Sequence, residues 1–179
     1  MTSTTASPQS GGETTCPGCG LVATGEPTTP TERASPACQA RYGALLALSY
    51  SNLAYRIVHQ LIVDAYAAQH PTGTEHRQVQ ALALSLMTLC LFIEHDTDPR
   101  EGPQLHQRMV ANPPDFQWLD PPPALHRMTV ADVLAARDAA DHQRLAREWA
   151  QEMWQAWTPH HPTIRAWNAD ALRQRTRRR

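Results

Sequence analysis

Apolar residues recur at helical spacing from about residue 38 onward, and no segment alternates convincingly between apolar and polar residues as a strand would. The expected fold is therefore all-α, a single helical domain of about five to six helices. The stretch from Ala81 to Ile93 is apolar almost all round, which is typical of a buried central helix. The spacing predicts helices over residues 38–50, 53–69, 76–95, 130–139 and 141–157, a last helix from Ile164, and a short one over 105–110.

Residues that favour helix ends separate these segments. Ser51-Asn52 is a suitable break and N-cap between the first two helices, and Thr129 is a suitable N-cap further on. His70 precedes Pro71, which disfavours helical geometry at His70 and should end the second helix there. The proline-rich stretch 96–123 is expected to be largely irregular, and loops of this length often serve as lids or binding surfaces.

The ends of the chain differ in composition from its middle. Residues 1–15 are rich in Thr, Ser and Gly and are expected to be a disordered tail. Residues 16–170 would form the helical domain with an N-terminal zinc knuckle, and residues 171–179 an arginine-rich tail. That tail could contact phosphates, but no interleaved aromatic residues or recognition helix accompany it, so nucleic-acid binding is not expected.

Composition narrows the classes of chemistry and the compartment. All 16 basic residues among the 179 are arginine, which excludes Schiff-base catalysis and P-loop phosphate binding through lysine. This bias, together with abundant Ala, Pro and Thr, is typical of a high-GC bacterial genome. The N-terminus does not resemble a secretory signal, and the longest apolar stretch is too short to span a bilayer. We therefore expect a soluble cytoplasmic protein with reduced thiols.

The cysteines predict a zinc site. In Cys16-Pro17-Gly18-Cys19-Gly20, two thiols are spaced to hold one ion, and Cys38 supplies a third. An unliganded turn and a redox pair are the alternatives, but a redox pair normally follows a strand at a helix N-terminus. Cys90 lies in an apolar run and is expected to be a core residue.

The fourth ligand must then be a histidine of the helical body. If the first two helices form an antiparallel hairpin, His59 and His70 both lie about 8 Å from the level of Cys38, so height does not choose between them. A ligand inside a helix is held more rigidly than one at its end. We therefore expect His59 to complete the site formed by Cys16, Cys19 and Cys38.

The remaining histidines suggest a pocket. His59, Tyr66 and His70 fall within about 40° of one another on a continuous helix. With His161, which follows a tryptophan-rich helix, they could line one cleft with aromatic walls. In that hypothesis Tyr66, His70 and His161 are catalytic, a histidine acting as base or ligand and Tyr66 as acid or hydrogen-bond donor. The alternative is that these histidines and the tryptophans belong to the core.

Four segments together carry a family resemblance. Cys16-Pro17-x-Cys19-Gly20, Cys38, the segment Val63-Asp64-Ala65-Tyr66-x-x-Gln69-His70-Pro71 and the stretch from Trp149 to His161 resemble a small bacterial family of unknown function. The resemblance implies no reaction. It implies one recurring constellation of residues, made up of the cysteines, His59, Asp64, Tyr66, Gln69, His70 and His161. Within it, Asp64 and Gln69 look like groups that orient a histidine or tie helix ends.

Two functions follow from these expectations. One is a metal-dependent enzyme that acts on a small molecule, of the kind found in specialised biosynthesis. The alternative is a non-catalytic, zinc-stabilised interaction or regulatory module, in which the zinc has four protein ligands and the histidines are core residues.

Overall fold

The described part of the chain begins with a short β-hairpin that the hydrophobic pattern did not predict. In the computed structural model, which describes residues 12–29, 32–123 and 126–173, β1 (Glu13–Thr15) pairs antiparallel with β2 (Val22–Thr24). The expectation of an all-α fold is therefore approximately right. The two strands were not predicted because segments of three residues are too short to show an alternating pattern. Residues 13–15 fall within the segment expected to be a tail, whose residues 1–11 lie outside the described part.

Helices make up most of the rest of the molecule. Eight α-helices and two 3₁₀ turns, at Pro99–Glu101 and Thr158–His160, occur in the described residues. The α-helices are α1 (Pro36–Ser51), α2 (Leu53–Arg56), α3 (His59–Gln69), α4 (His76–Glu94), α5 (Gly102–Ala111), α6 (Val130–Leu134), α7 (Ala139–Ala156) and α8 (His161–Arg173).

The predicted helix over residues 53–69 is divided in two. Asn52 caps α2 as expected, its side chain accepting a hydrogen bond from the backbone N–H of Ala54 at 2.8 Å. The chain then leaves helical geometry at Val58, next to a second β-branched residue, Ile57, and α3 starts afresh. It ends before His70, whose backbone has φ −129° and ψ 61°, as the following proline predicts.

Helix α4 is the centre of the core. It packs against α3, α5, α7 and α8, and its side chains from Leu82 to Phe92 are buried. Among the described residues, α4 is the one helix long and apolar enough to span a membrane, with a mean hydropathy of 1.2, but 67% of it is buried, as in a core helix. Trp149, Trp154 and Trp157 are also buried, and Trp157 Nε1 donates to the carbonyl of Ala68 at 3.1 Å.

The later elements differ from the predicted bounds. Within the proline-rich stretch, α5 begins at Gly102 and buries Leu105 and Met109. Helix α6 is shorter than predicted, and α7 starts at Ala139 with Asp138 as its N-cap. Helix α8 starts at His161 rather than Ile164 and continues to Arg173, so part of the predicted arginine tail is helical and residues 174–179 lie outside the described part.

Candidate metal centre

The β-hairpin presents two thiols from its turn. Cys16 follows β1, and its backbone N–H and carbonyl bond to the carbonyl of Leu21 and the N–H of Gly20, both at 2.9 Å. Gly20 has φ 77°, a conformation that favours glycine and closes the turn. These bonds hold Cys16 and Cys19 on one side of the turn, where each side chain is 1% exposed.

The first turn of α1 supplies the third thiol. Ser35 caps this helix, and its hydroxyl accepts a hydrogen bond from the backbone N–H of Cys38 at 3.2 Å. The backbone N–H of Ser35 in turn points at Cys16 Sγ, 3.4 Å away. The sulfurs of Cys19 and Cys38 lie 3.8 Å apart. The N-cap therefore orients one ligand and donates a hydrogen bond to another.

His70 completes the cluster from the end of α3. Its Nδ1 lies 2.9 Å from the carbonyl oxygen of Tyr66, which can only accept, so Nδ1 carries the proton. Nε2 is then left with its lone pair directed at the thiols, 3.5 Å from both Cys16 Sγ and Cys38 Sγ. The carbonyl of Tyr66 also accepts the backbone N–H of His70 at 3.0 Å, and its second lone pair takes the Nδ1 proton.

These distances match the edges of a zinc tetrahedron. With Zn–S bonds of about 2.3 Å and Zn–N bonds of about 2.0–2.1 Å, tetrahedral angles place two sulfurs about 3.8 Å apart and a sulfur and a nitrogen about 3.5 Å apart. The ligand atoms of Cys16, Cys19, Cys38 and His70 all lie within 4.8 Å of one another, and all four residues are buried. The cluster could hold a metal ion, and a soft Cys₃His donor set suits zinc.

Without a cation, the three neighbouring thiols do not favour ionising together. Hydrogen bonds from Cys19 and Cys38 lower the pKa of Cys16, whereas hydrogen bonding to Cys16 raises the pKa of Cys19 and raises that of Cys38 to about 12. One thiolate is thus favoured at the expense of its neighbours. A bound dication would stabilise all three thiolates together, because metal binding displaces their protons.

The structure places His70, rather than the expected His59, beside the three cysteines. His59 opens α3, about 16 Å along the helix from His70. Its Nδ1 lies 2.7 Å from Ser49 Oγ and its Nε2 3.1 Å from the hydroxyl of Tyr50. The preference for His59 came from the rigidity of a ligand inside a helix, not from the helical arithmetic. The helix restarts after Val58, so that His59 opens α3, and the ring of His70 at the C-cap turns toward the hairpin.

The residues predicted to share one cleft are divided among three places. Tyr66 borders the metal centre, with its hydroxyl 3.9 Å from Cys38 Sγ, and lines a cleft of about 580 Å³ together with His70. His59 lines a different cleft. His161 stacks on Trp154 with ring centroids 3.7 Å apart, and its Nε2 lies 2.8 Å from the Trp154 carbonyl. The catalytic roles of Tyr66, His70 and His161 stay predictions.

Asp64 and Gln69 hold α3 in place. Asp64 is fully buried and accepts hydrogen bonds from Thr88 at 2.7 Å and Gln60 at 3.1 Å, with His106 Nε2 3.3 Å away. Gln69 Nε2 donates to the carbonyl of Met128 at 2.8 Å. Gly18 was not among the predicted site residues. A Cβ added there would lie 2.5 Å from the His70 ring. A glycine between two cysteine ligands is the signal in the sequence that could have indicated this close approach.

Comparison with known protein families matches residues 14–158 to a family of unknown function, DUF5946. The chain belongs to this family. The part shared with DUF5946 contains all four residues of the cluster and ends before His161. No curated protein and no solved structure matches the chain, so the family membership adds no reaction to what the geometry shows.

Proposed function

We propose that the Cys₃His centre is a closed structural zinc site, and that the protein acts as a non-catalytic, zinc-stabilised interaction module. The observation that carries the proposal is that four buried protein donors lie within 4.8 Å of one another, and that Cys19–Cys38 and the contacts of His70 with Cys16 and Cys38 have the separations of a zinc tetrahedron. A structural zinc takes all its ligands from the protein, whereas a catalytic zinc keeps one position open for water or substrate.

The composition of the N-terminal segment supports a structural role. Between residues 12 and 29, the buried side chains are those of Cys16, Cys19 and Ala23, so little apolar surface holds the hairpin on the helices. Structural zinc contributes about 10–16 kcal/mol of apparent binding free energy in small zinc domains. Coordination to Cys38 and His70 would therefore be the main attachment of the hairpin to α1 and α3.

A metal-dependent enzyme is the second candidate. Tyr66 and His70 both line a cleft of about 580 Å³, so a small molecule bound there would lie beside the centre. For zinc to activate that molecule, one of the four protein ligands would have to leave. The closed ligand set makes the structural role the better supported of the two.

Metal content of single variants tests the ligand set. We expect one zinc per chain in the purified protein, and loss of that zinc in Cys16→Ser and in His70→Ala. His59→Ala is the matched control and should retain zinc, because Ser49 and Tyr50 are the partners of His59. Zinc retained by His70→Ala and lost by His59→Ala would contradict the assignment.

Cobalt substitution distinguishes the two functions. Cobalt bound to three thiolates and one imidazole has absorption bands that depend on the number and kind of its ligands. A closed site should keep the same spectrum when cyanide is added, since no position is free. A spectrum that changes with cyanide in a saturable manner would favour the metal-dependent enzyme instead.

A further inference from the structure

A second cleft lies away from the metal centre, where α1, α2 and α3 meet the beginning of α5. Its volume is about 660 Å³, within the range of about 300–1,000 Å³ that is usual for small-molecule sites. It shares no lining residue with the metal centre. Among the residues that line it are Tyr50, Leu53, Arg56, His59, Gln60 and Pro103.

One wall of this cleft is apolar and open to solvent. Leu53 is 80% exposed and Tyr50 is 60% exposed, and they are two of the four strongly exposed large apolar side chains in the described residues. Ile57, which is half-buried, and Pro103, which is exposed, also line the cleft. Apolar side chains gathered at a cleft in this way usually mark a place where another molecule binds.

The charge of the lining is positive. Arg56 and Arg100 line the cleft, and none of its lining residues carries a carboxylate. Arg100 is compensated by Asp98, to which its Nε donates at 2.8 and 3.0 Å. Arg56 lies 5.3 Å from the centre of the Tyr50 ring, and no described carboxylate forms a salt bridge with it. Its positive charge is therefore available to a ligand.

A chain of hydrogen bonds holds the aromatic wall in one orientation. Ser49 Oγ donates to the carbonyl of Leu46 at 2.8 Å, so it accepts from His59 Nδ1–H. Nε2 of the neutral ring then accepts the Tyr50 hydroxyl. Burial, and secondarily the charge of Arg56, lower the pKa of His59, which agrees with a neutral ring. Arg56 is thus the cation that a ligand would meet, and the Tyr50 ring is already held beneath it before any ligand binds.

We propose that this cleft binds a small organic anion, whose charged group pairs with Arg56 and whose apolar body lies against Leu53 and Tyr50. An aromatic body fits best, because a flat ring can pack on Tyr50 while its acidic group reaches the guanidinium. This binding site is independent of the zinc proposal, and its test uses the full-length protein as purified.

Two dyes of the same shape test the proposal. The anion 8-anilinonaphthalene-1-sulfonate and its neutral analogue N-phenyl-1-naphthylamine differ in the sulfonate group. We expect the anion to bind one saturable site, about tenfold more tightly than the neutral dye. Arg56→Met should remove this preference and leave the affinity for the neutral dye unchanged. Leu53→Ser should lower the affinity for both dyes. Fluorescence titration gives all of these constants.

Matched controls separate the cleft from general dye binding. Arg77→Met removes an exposed arginine from the first turn of α4, and Val110→Ser removes a half-exposed apolar residue from the end of α5. Neither should change the affinity for either dye. The proposal is overturned if the anion binds without saturation or if Arg56→Met keeps its preference for the anion. It is also overturned if the control variants weaken binding as much as Arg56→Met and Leu53→Ser do. Near-UV circular dichroism of each variant verifies that its fold is intact.

Discussion

Gly18 offers a test of the metal centre that changes none of the four ligands. It lies in the turn between Cys16 and Cys19, against the end of α3. A Cβ built at this position would lie 2.4 Å from the carbonyl oxygen of Arg33, 2.5 Å from His70 Cδ2 and 3.0 Å from the carbonyl oxygen of Gln69. Two of these neighbours are backbone atoms, so the added methyl group cannot be accommodated by a side-chain rotation.

The displacement that Gly18→Ala requires is larger than a zinc site tolerates. Carbon atoms in contact lie about 3.5 Å apart, so the His70 ring and the turn must separate by about 1 Å. Metal–ligand distances in real sites stay within about 0.2 Å of their ideal values. The substitution should therefore break or distort the bond from His70 Nε2. Since losses of supporting groups cost about 10–100-fold in metal affinity, we expect a loss of at least about 100-fold, or about 2.7 kcal/mol.

Competition with a chromophoric zinc chelator measures this affinity. Gly43→Ala is the control, because a Cβ at Gly43 meets nothing within 4 Å. Gly43 lies inside α1, where alanine should raise the free energy of unfolding by about 0.5–1 kcal/mol and leave zinc affinity unchanged. If Gly18→Ala bound zinc as tightly as the wild-type protein, the inference that close contact with this turn holds His70 against the cysteines would be refuted.

Two further predictions concern buried polar groups. Burial lowers the pKa of His142 from 6.5, so below about pH 6.5 the unfolded chain binds more protons than the folded one, and the free energy of unfolding falls as the pH drops. In urea unfolding at pH 7.5 and pH 5.5, His142→Phe should lose less free energy of unfolding between the two pH values than the wild-type protein. An equal loss in both proteins would refute this prediction. Thr88→Val should cost about 1–3 kcal/mol, because one Asp64 oxygen loses its donor; Thr74→Val, at an exposed turn, should be neutral in the same urea experiment.

Sequence alone predicted those features that depend on neighbours along the chain. Asn52 and Thr129 act as N-caps, and His70 lies just past the end of a helix, because capping and the effect of proline are local. The restart at Val58 was not predictable in this way. A pair of β-branched residues weakens a helix only slightly, and whether it breaks depends on packing.

The fourth ligand shows the same limit. Choosing between His59 and His70 needed the direction of each ring, which depends on where its second nitrogen finds a partner. For His70 the signal was present in the sequence: a histidine at a helix end, four residues after Tyr66, can donate Nδ1–H to the carbonyl that also accepts its backbone N–H. For His59 the partners are Ser49 and Tyr50, which the turn at Asn52 brings back onto α3.

Helix α3 links the two sites that we propose, and its anchoring explains how they can be independent. His59 and Gln60 at its start line the second cleft, and His70 just past its end belongs to the metal centre. Between them, Asp64 is fully buried and bonded to Thr88 of α4, with His106 of α5 beside it. A buried carboxylate with several hydrogen-bonding partners resists displacement, because moving it would leave charge and donors unpaired. We therefore expect removal of zinc to release the hairpin and to leave the cleft formed.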